Sequence, residues 1–172
     1  MAEERIHISA GGALMLALLP LFCTPRLLCA LLPAVALHEG FHLLALRLCG
    51  ARFLQLRIEL AGLCLHSTAV SSRGEEVFCT LAGPVGGLLW AGAAAPFWPL
   101  SAGVSLLLSL FNLLPALPLD GGRALLALTG QVGLLRFSTA LSALLLLALA
   151  LWAPLPPMLI PALWLWTESI KA

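Results

Sequence analysis

Long apolar segments joined by short polar connections constrain this chain more than any other feature of its sequence. Hydrophobic residues make up 61% of the 172 residues, charged residues only 10%, and the mean hydropathy is +1.04. A water-soluble domain usually carries about 25% charged residues. The chain has too little polar surface to cover a globular core in water, so we expect a protein embedded in the lipid bilayer.

Six apolar segments are candidates for membrane-spanning helices, because a helix needs about 20 mostly apolar residues to cross the hydrocarbon layer. The first segment is short, and the last is shorter and contains three prolines. No repeat or long linker divides the chain, so we predict one domain over residues 1–172. The segments run approximately over Ile8–Cys23, Leu27–Leu48, Val77–Trp98, Leu100–Leu119, Leu134–Trp152 and Leu155–Trp166.

The positive charges predict how these spans are oriented. With six spans and the N-terminus inside, Arg26 falls outside and the other eight Lys and Arg residues lie on the cytoplasmic side, as the positive-inside rule requires. These eight are Arg5, Arg47, Arg52, Arg57, Arg73, Arg123, Arg136 and Lys171. We therefore expect a multi-pass protein of a bacterial cytoplasmic membrane with both termini in the cytoplasm. The net charge of +1 and the lack of a basic cluster argue against a nucleic-acid partner.

One stretch departs from the helical pattern. In Phe53–Ser67, Leu54, Leu56 and Ile58 alternate with polar residues, which is the period of a strand. A turn at Ala61-Gly62 and a returning strand over Leu63–Ala69 would complete a β-hairpin after the second helix, at the cytoplasmic surface. The alternative is an amphipathic interfacial segment without strand pairing. The five cysteines show no CxxC spacing and are interpreted as small buried hydrophobic residues.

The second apolar segment contains an HExxH motif formed by His38, Glu39 and His42. Residues four apart share a helix face, so both imidazoles can bind one metal ion, and Glu39 can act as general base toward a water on that metal. The alternative is two ordinary helix histidines beside a surface glutamate. That alternative is costly, because each ionisable group inside a membrane costs about 2 kcal/mol or more unless it is paired or hydrated.

A catalytic zinc site needs a third protein ligand and an open position. Asp120 is the strongest candidate, because it ends an apolar run broken by Pro115 and Pro118 and precedes two glycines that allow tight backbone geometry. The alternative for Asp120 is a solvated carboxylate at a helix end. His66 and Glu59, both in the predicted hairpin, are weaker candidates for the third ligand. Glu75 and Glu76 are interpreted as solvated.

Taken together, HExxH in an early span and Asn112-Leu-Leu-Pro-Ala-Leu-Pro-Leu-Asp120-Gly-Gly-Arg123 in a later one resemble the site-2 protease family of intramembrane zinc metalloproteases. Ala82-Gly83-Pro84, followed by Gly86-Gly87, resembles a small-residue element between those motifs. The resemblance covers about Ala34 to Arg123. The six-span plan is most similar to the sporulation branch that processes a sigma-factor precursor, although the CBS domain of many such members is not expected here.

The resemblance implies a role for each matching residue. His38, His42 and Asp120 would hold one Zn²⁺ ion, and Glu39 would be the catalytic glutamate. Asn112 would position the substrate or stabilise the oxyanion, the alternative being a helix-packing amide. The hairpin, through Leu54, Leu56 and Ile58, would pair with an unwound substrate strand.

These observations predict an all-α membrane protein with about six transmembrane helices and a short membrane-associated β-hairpin. Its expected activity is zinc-dependent cleavage of a transmembrane or membrane-proximal segment of a protein substrate near the cytoplasmic face, with a regulatory membrane protein as a possible partner. The alternative is a zinc-binding or metal-transporting membrane protein without hydrolysis. Such a protein needs intramembrane His and Asp residues but no glutamate directly after the first ligand.

Overall fold

The computed structural model describes residues 6–59, 62–68, 70–152 and 159–171, which form seven helices and one small sheet. The elements in chain order are β1 (Ile6–Ile8), α1 (Ala10–Phe22), α2 (Pro25–Leu48), β2 (Phe53–Glu59), β3 (Gly62–Ser67), α3 (Arg73–Ala94), α4 (Pro99–Asn112), α5 (Asp120–Thr129), α6 (Val132–Trp152) and α7 (Leu159–Lys171).

A helix occupies each of the six segments that the sequence marks as apolar. Among the described residues, α2, α3 and α6 are long and apolar enough to cross a membrane, whereas α1 and α4 are shorter apolar helices. The mostly helical membrane fold is therefore confirmed, but the number of spans is not established by helix length. Residues 153–158, which include the predicted beginning of the last span, lie outside the described part.

The helix α5 was not predicted. A single span was predicted over Leu100–Leu119, yet α4 ends at Asn112 and a new helix begins at Asp120. Proline has no backbone N–H to continue a helix and its ring collides with the preceding turn, so Pro115 and Pro118 separate the two helices. Asp120 is consequently the first residue of a helix rather than the end of one.

Local sequence fixes where the two longest helices start. The Thr24 side chain accepts a hydrogen bond from the Leu27 N–H, and Pro25 opens α2, where its missing N–H costs nothing. Ser72 and Glu75 form a capping box at the start of α3, each side chain accepting from the other residue's backbone N–H.

The predicted hairpin is present as the antiparallel pair β2 and β3, with Phe53 opposite Ser67 and Leu56 opposite Leu65. Residues 60 and 61, where the turn was expected, lie outside the described part. The strand β1 was not predicted; it pairs parallel with β2 from Ile6 opposite Leu56 to Ile8 opposite Ile58. The sheet order is β1-β2-β3, so β2 is the central strand.

Small residues and serine hydroxyls hold α2, α3 and α4 together. Ser101 on α4 accepts a hydrogen bond from Trp90 Nε1 on α3 and donates to the Ala30 carbonyl on α2, at 3.0 Å each. Ser105 donates to the Gly87 carbonyl at 2.8 Å. Small residues at helix contacts let backbones approach closely, which is the usual way helices pack inside a membrane.

The pair α6 and α7 covers the connection between α4 and α5. Ala116 and Leu119 of that connection share a buried cluster with Ala143 of α6 and Leu165 of α7. The Leu117 N–H donates to Thr139 Oγ1 at 3.2 Å, and the Ser138 hydroxyl donates to the Pro115 carbonyl at 2.5 Å. These contacts fix the segment that leads to Asp120.

Candidate metal centre

Three buried side chains from two helices meet at one point. His38 and His42 lie one turn apart on the same face of α2, and Asp120 is the first residue of α5. Their exposed fractions are 4%, 9% and 7%. The three offer one ligand atom each in a mutually close group, and within the described ranges no other set of three or more His, Cys, Asp or Glu side chains does so.

The donor atoms of this group form a nearly equilateral triangle. His38 Nε2 and His42 Nε2 each lie 3.2 Å from Asp120 Oδ2 and 3.3 Å from each other. Tetrahedral ligands about 2.0–2.1 Å from a zinc ion are about 3.3–3.4 Å apart. Two imidazole nitrogens and one carboxylate oxygen are also donors that zinc accepts, with a fourth position left for water. Both the chemistry and the spacing of the group fit a catalytic zinc ion.

Two features of α3 fix the ring of His42. Its Nδ1–H donates a 2.7 Å hydrogen bond to the main-chain carbonyl of Cys79, which leaves the Nε2 lone pair free for a metal. Gly83 provides the space, because a Cβ atom built on it would overlap the His42 imidazole. One turn of α3 therefore both orients and accommodates one candidate ligand.

His38 has no equivalent support. Its Nδ1 atom is buried and has no hydrogen-bond partner within the part of the chain that the structure describes. The hydrogen-bonding contacts of this ring in that part of the chain are those of Nε2 with His42 and Asp120.

Two glycines place Asp120. A Cβ on Gly121 would overlap the Leu113 carbonyl oxygen, and a Cβ on Gly122 would overlap the backbone of Ala116. The start of α5 can therefore pack against its own incoming connection only because both residues lack side chains. The N-terminal position also favours a carboxylate, since a helix carries partial positive charge at that end.

Glu39 lies beside this group on α2 and is partly buried. It lies within electrostatic range of His38, His42 and Asp120, and also of Arg123 on the first turn of α5. It is not a member of the three-residue group. A carboxylate next to candidate metal ligands but outside their group is the arrangement that a general base requires.

The remaining candidate residues lie on other elements than α2 and α5. Asn112 ends α4, where its Nδ2 donates to the Leu108 carbonyl at 3.0 Å, the backbone-satisfied arrangement that the sequence analysis kept as its alternative. His66 lies on β3 and is exposed. The side chain of Glu59 lies outside the described part.

The strand residues expected to pair with substrate lie in the middle of the sheet. Leu56 and Ile58 have β1 on one side and β3 on the other. A further strand could pair with these two residues only by displacing a neighbour. Leu54, which is 53% exposed, lies before the segment that pairs with β1.

Two further groups contribute to the site, and only one of them could be identified from the sequence. Gly83 belongs to the small-residue element noted above, and its contact with His42 gives that element a physical reason. The Cys79 carbonyl is a main-chain group, which any residue would supply, so no residue type could have indicated it.

The sequence matches the model of peptidase family M50 over residues 72–152, which contain α3, α4, α5 and Asp120 but not α2. None of the curated proteins matches the chain significantly. Among solved structures, the chain is similar to the site-2 protease from Methanocaldococcus jannaschii, with a TM-score of 0.72 and 19% identity, over 96% of this chain and 89% of that one. At this identity the likeness shows a shared fold.

Proposed function

We propose that this chain is a zinc-dependent endopeptidase of the site-2 protease type that works inside a membrane, which the partial match to peptidase family M50 supports. The observation that carries the proposal is the buried triangle of His38, His42 and Asp120 with Glu39 beside it. The family match covers Asp120 but not the HExxH segment. The proximity of Asp120 to the two histidines of that segment therefore supports the proposal independently of the match.

The ligand roles follow from the donor triangle. His38 and His42 would bind zinc through Nε2, and Asp120 through Oδ2. Zinc bound there would supply a Lewis acid that activates water and polarises the scissile carbonyl. The Cys79 carbonyl and Gly83 keep His42 in the ligating orientation.

Glu39 would move the proton of the reaction. Its carboxylate accepts a proton from the attacking water and returns it to the leaving amide nitrogen, which completes hydrolysis. The fixed position of Glu39 on α2, one residue after His38, holds the base next to the metal ligands. A non-hydrolytic zinc protein does not need a carboxylate there.

The substrate is proposed to be a protein segment within or next to the membrane. Helical substrates conceal their peptide carbonyls in backbone hydrogen bonds, so cleavage requires local unwinding. An unwound segment can be held by adding a strand to a sheet. In the described part of the sheet, β3 is the outer strand beside β2, so we move the predicted strand pairing from Leu56 and Ile58 to the outer edge of β3.

The six apolar helical segments and the placement of arginines support cleavage near the cytoplasmic side. In the six-span arrangement, with both termini in the cytoplasm, α2 runs inward and carries His38 and His42 past its middle. Asp120 then lies at the inner end of α4 and its connection.

The direct test reconstitutes the purified chain in liposomes with a panel of single-span substrates labelled at both ends. We expect cleavage that stops when a chelator removes zinc and returns when zinc is restored. His42→Ala should abolish cleavage, whereas the matched change His7→Ala, at an exposed histidine on β1, should not. Cleavage that persists in protein shown to be metal-free would contradict the proposal, as would zinc transport across the liposomes without cleavage of any substrate.

A further inference from the structure

Two cysteines that are distant in sequence meet beside the metal centre. Cys49 is the capping residue at the end of α2, and Cys79 lies in the second turn of α3. The Cys79 thiol donates to Cys49 Sγ with 3.6 Å between the sulfur atoms. Both were interpreted from the sequence as buried hydrophobic residues, and they do belong to a small apolar cluster with Ala45 and Leu46.

The end of α2 holds Cys49 in place. Its N–H donates to the Ala45 carbonyl, and the Ala51 N–H donates to the Leu46 carbonyl at 2.9 Å. Gly50 adopts the left-handed conformation, with a φ of 72°, that such a helix end requires. The backbone on the Cys49 side of the pair is therefore well defined.

Cys79 connects this pair to the metal ligands. Its main-chain carbonyl is the group that accepts the hydrogen bond from His42 Nδ1. A change at the Cys79 side chain that displaces its backbone therefore changes the support of His42. The two sulfurs also differ in access, because Cys79 is 7% exposed whereas Cys49 is only partly buried.

We propose that Cys49 and Cys79 are a reversible redox pair whose disulfide weakens metal binding by displacing the carbonyl that orients His42. The oxidant would be a low-molecular-weight disulfide or the disulfide of a thiol oxidoreductase. Formation of the disulfide does not depend on the proposed proteolytic function, whereas its effect on the metal rests on the ligand set proposed above.

The reaction takes two thiol–disulfide exchanges. The sulfur of Cys49, the more accessible one, attacks one sulfur of the oxidant; the S–S bond of the oxidant breaks, and the proton of Cys49 goes to the thiol that leaves. Cys79 then attacks the Cys49 sulfur of the mixed disulfide and releases the second thiol. The pair of protein thiols loses two electrons and two protons, and the oxidant becomes two thiols.

The geometry explains why this bond would affect the site. A disulfide bond is about 2.0 Å long, so the sulfur atoms at 3.6 Å have to approach by about 1.5 Å. Because the Cys49 side is fixed by the helix end, part of that movement falls on α3 around Cys79. Loss of an outer-shell partner of a metal-bound histidine typically lowers metal affinity about 10- to 100-fold.

The first measurement tests the bond itself. The purified chain is treated with diamide or oxidised glutathione, unfolded and alkylated with N-ethylmaleimide, and its mass is measured. The reduced chain has five cysteines, and we expect two fewer alkylations after oxidation, with a cross-linked Cys49–Cys79 peptide. Cys29→Ser is the matched control, since Cys29 is an exposed cysteine on α2, and it should still form the bond. Cys49→Ser should not.

The second measurement tests the consequence. Zinc affinity, determined by competition with a fluorescent chelator, should fall about tenfold or more on oxidation and recover with a phosphine reductant. Cys49→Ser should make zinc affinity insensitive to the oxidant. Failure of the Cys49–Cys79 cross-link to form would overturn the redox pair, and a cross-link that leaves zinc affinity unchanged would overturn its link to His42. Neither result depends on whether the protein cleaves peptides.

Discussion

At the scale of single residues, the ring of His42 is the most constrained part of the site. It donates to the Cys79 carbonyl through Nδ1, faces Asp120 and His38 through Nε2, and lies against Gly83. His38 relies on fewer contacts. Changes near His42 should therefore alter metal binding even when they leave all three proposed ligands intact.

Gly83→Ala should lower zinc affinity about 10- to 100-fold, because the new methyl group overlaps the His42 imidazole and turns it away from its hydrogen-bond partner. The matched control is Gly92→Ala in the same helix, where an added Cβ meets nothing within 4 Å. Zinc affinity by chelator competition checks both. Equal affinities for Gly83→Ala and the unchanged protein would show that the contact is tolerated.

Asp120→Ala should remove a ligand and reduce zinc affinity by more than about 100-fold, beyond the usual effect of an outer-shell change. Glu76→Gln, at an exposed acid on α3, neutralises a carboxylate without touching the site and serves as control. Zinc content after dialysis provides the measurement. Full zinc content in Asp120→Ala would remove Asp120 from the ligand set.

The grouping of the three candidate ligands was predictable for a physical reason. Helical periodicity alone brings His38 and His42 together, and the cost of ionisable groups in a membrane makes both of them and Asp120 conspicuous. The Cys79 carbonyl and the Cys49–Cys79 contact were not predictable. The first involves a backbone group, and the second depends on how two separate helices pack.

At the scale of elements, the alternation of apolar residues and the positions of prolines gave correct predictions, whereas a very short element could not be predicted. The alternating residues of Phe53–Ser67 predicted the hairpin, and Pro115 and Pro118 predicted the break before Asp120. The strand β1 has only three residues, too few for periodicity to show. The position of β2 in the middle of the sheet follows from β1 and was therefore missed with it.

The contact of α6 with the connection before Asp120 can be tested with Thr139→Val. The change keeps the shape but leaves the partly buried Leu117 N–H without its acceptor, a loss of about 0.5–1.5 kcal/mol. We expect a lower thermal unfolding midpoint in detergent and weaker zinc binding, because Leu117 leads directly to Asp120.

Thr167→Val on α7 is the control, since the exposed Thr167 hydroxyl donates to the Trp164 carbonyl of its own helix. Its unfolding midpoint should stay close to that of the unchanged protein. If Thr139→Val and Thr167→Val behave alike, the hydrogen bond to Leu117 does not hold the connection in place.

At the scale of the whole molecule, many large apolar side chains on α2, α3 and α6 are exposed, among them Leu32, Leu89 and Leu145 at 70%, 60% and 61%. Such surfaces are stable in lipid rather than in water. Composition was sufficient to predict this environment. Composition could not settle the number of spans. The helices α1, α4 and α7 are short for a hydrocarbon layer about 30 Å thick, and their tilt depends on neighbouring helices and lipid.

The six-span arrangement predicts that both ends of the chain lie in the cytoplasm and that the connection between α3 and α4 lies outside. Alkaline phosphatase, which is active only outside the cytoplasm, should be active when fused after Phe97 and inactive when fused after Ala172. The opposite pattern would reverse the orientation and place the metal centre toward the other side of the membrane.

The central claim, that the metal centre hydrolyses peptide bonds with Glu39 as general base, is tested most directly by measuring zinc content and cleavage together in Glu39→Gln. Because Glu39 lies outside the ligand group, zinc content should equal that of the unchanged protein. Cleavage should fall about 100- to 10,000-fold with the loss of the proton acceptor. Glu39→Gln protein with full zinc and an unchanged cleavage rate would contradict the account.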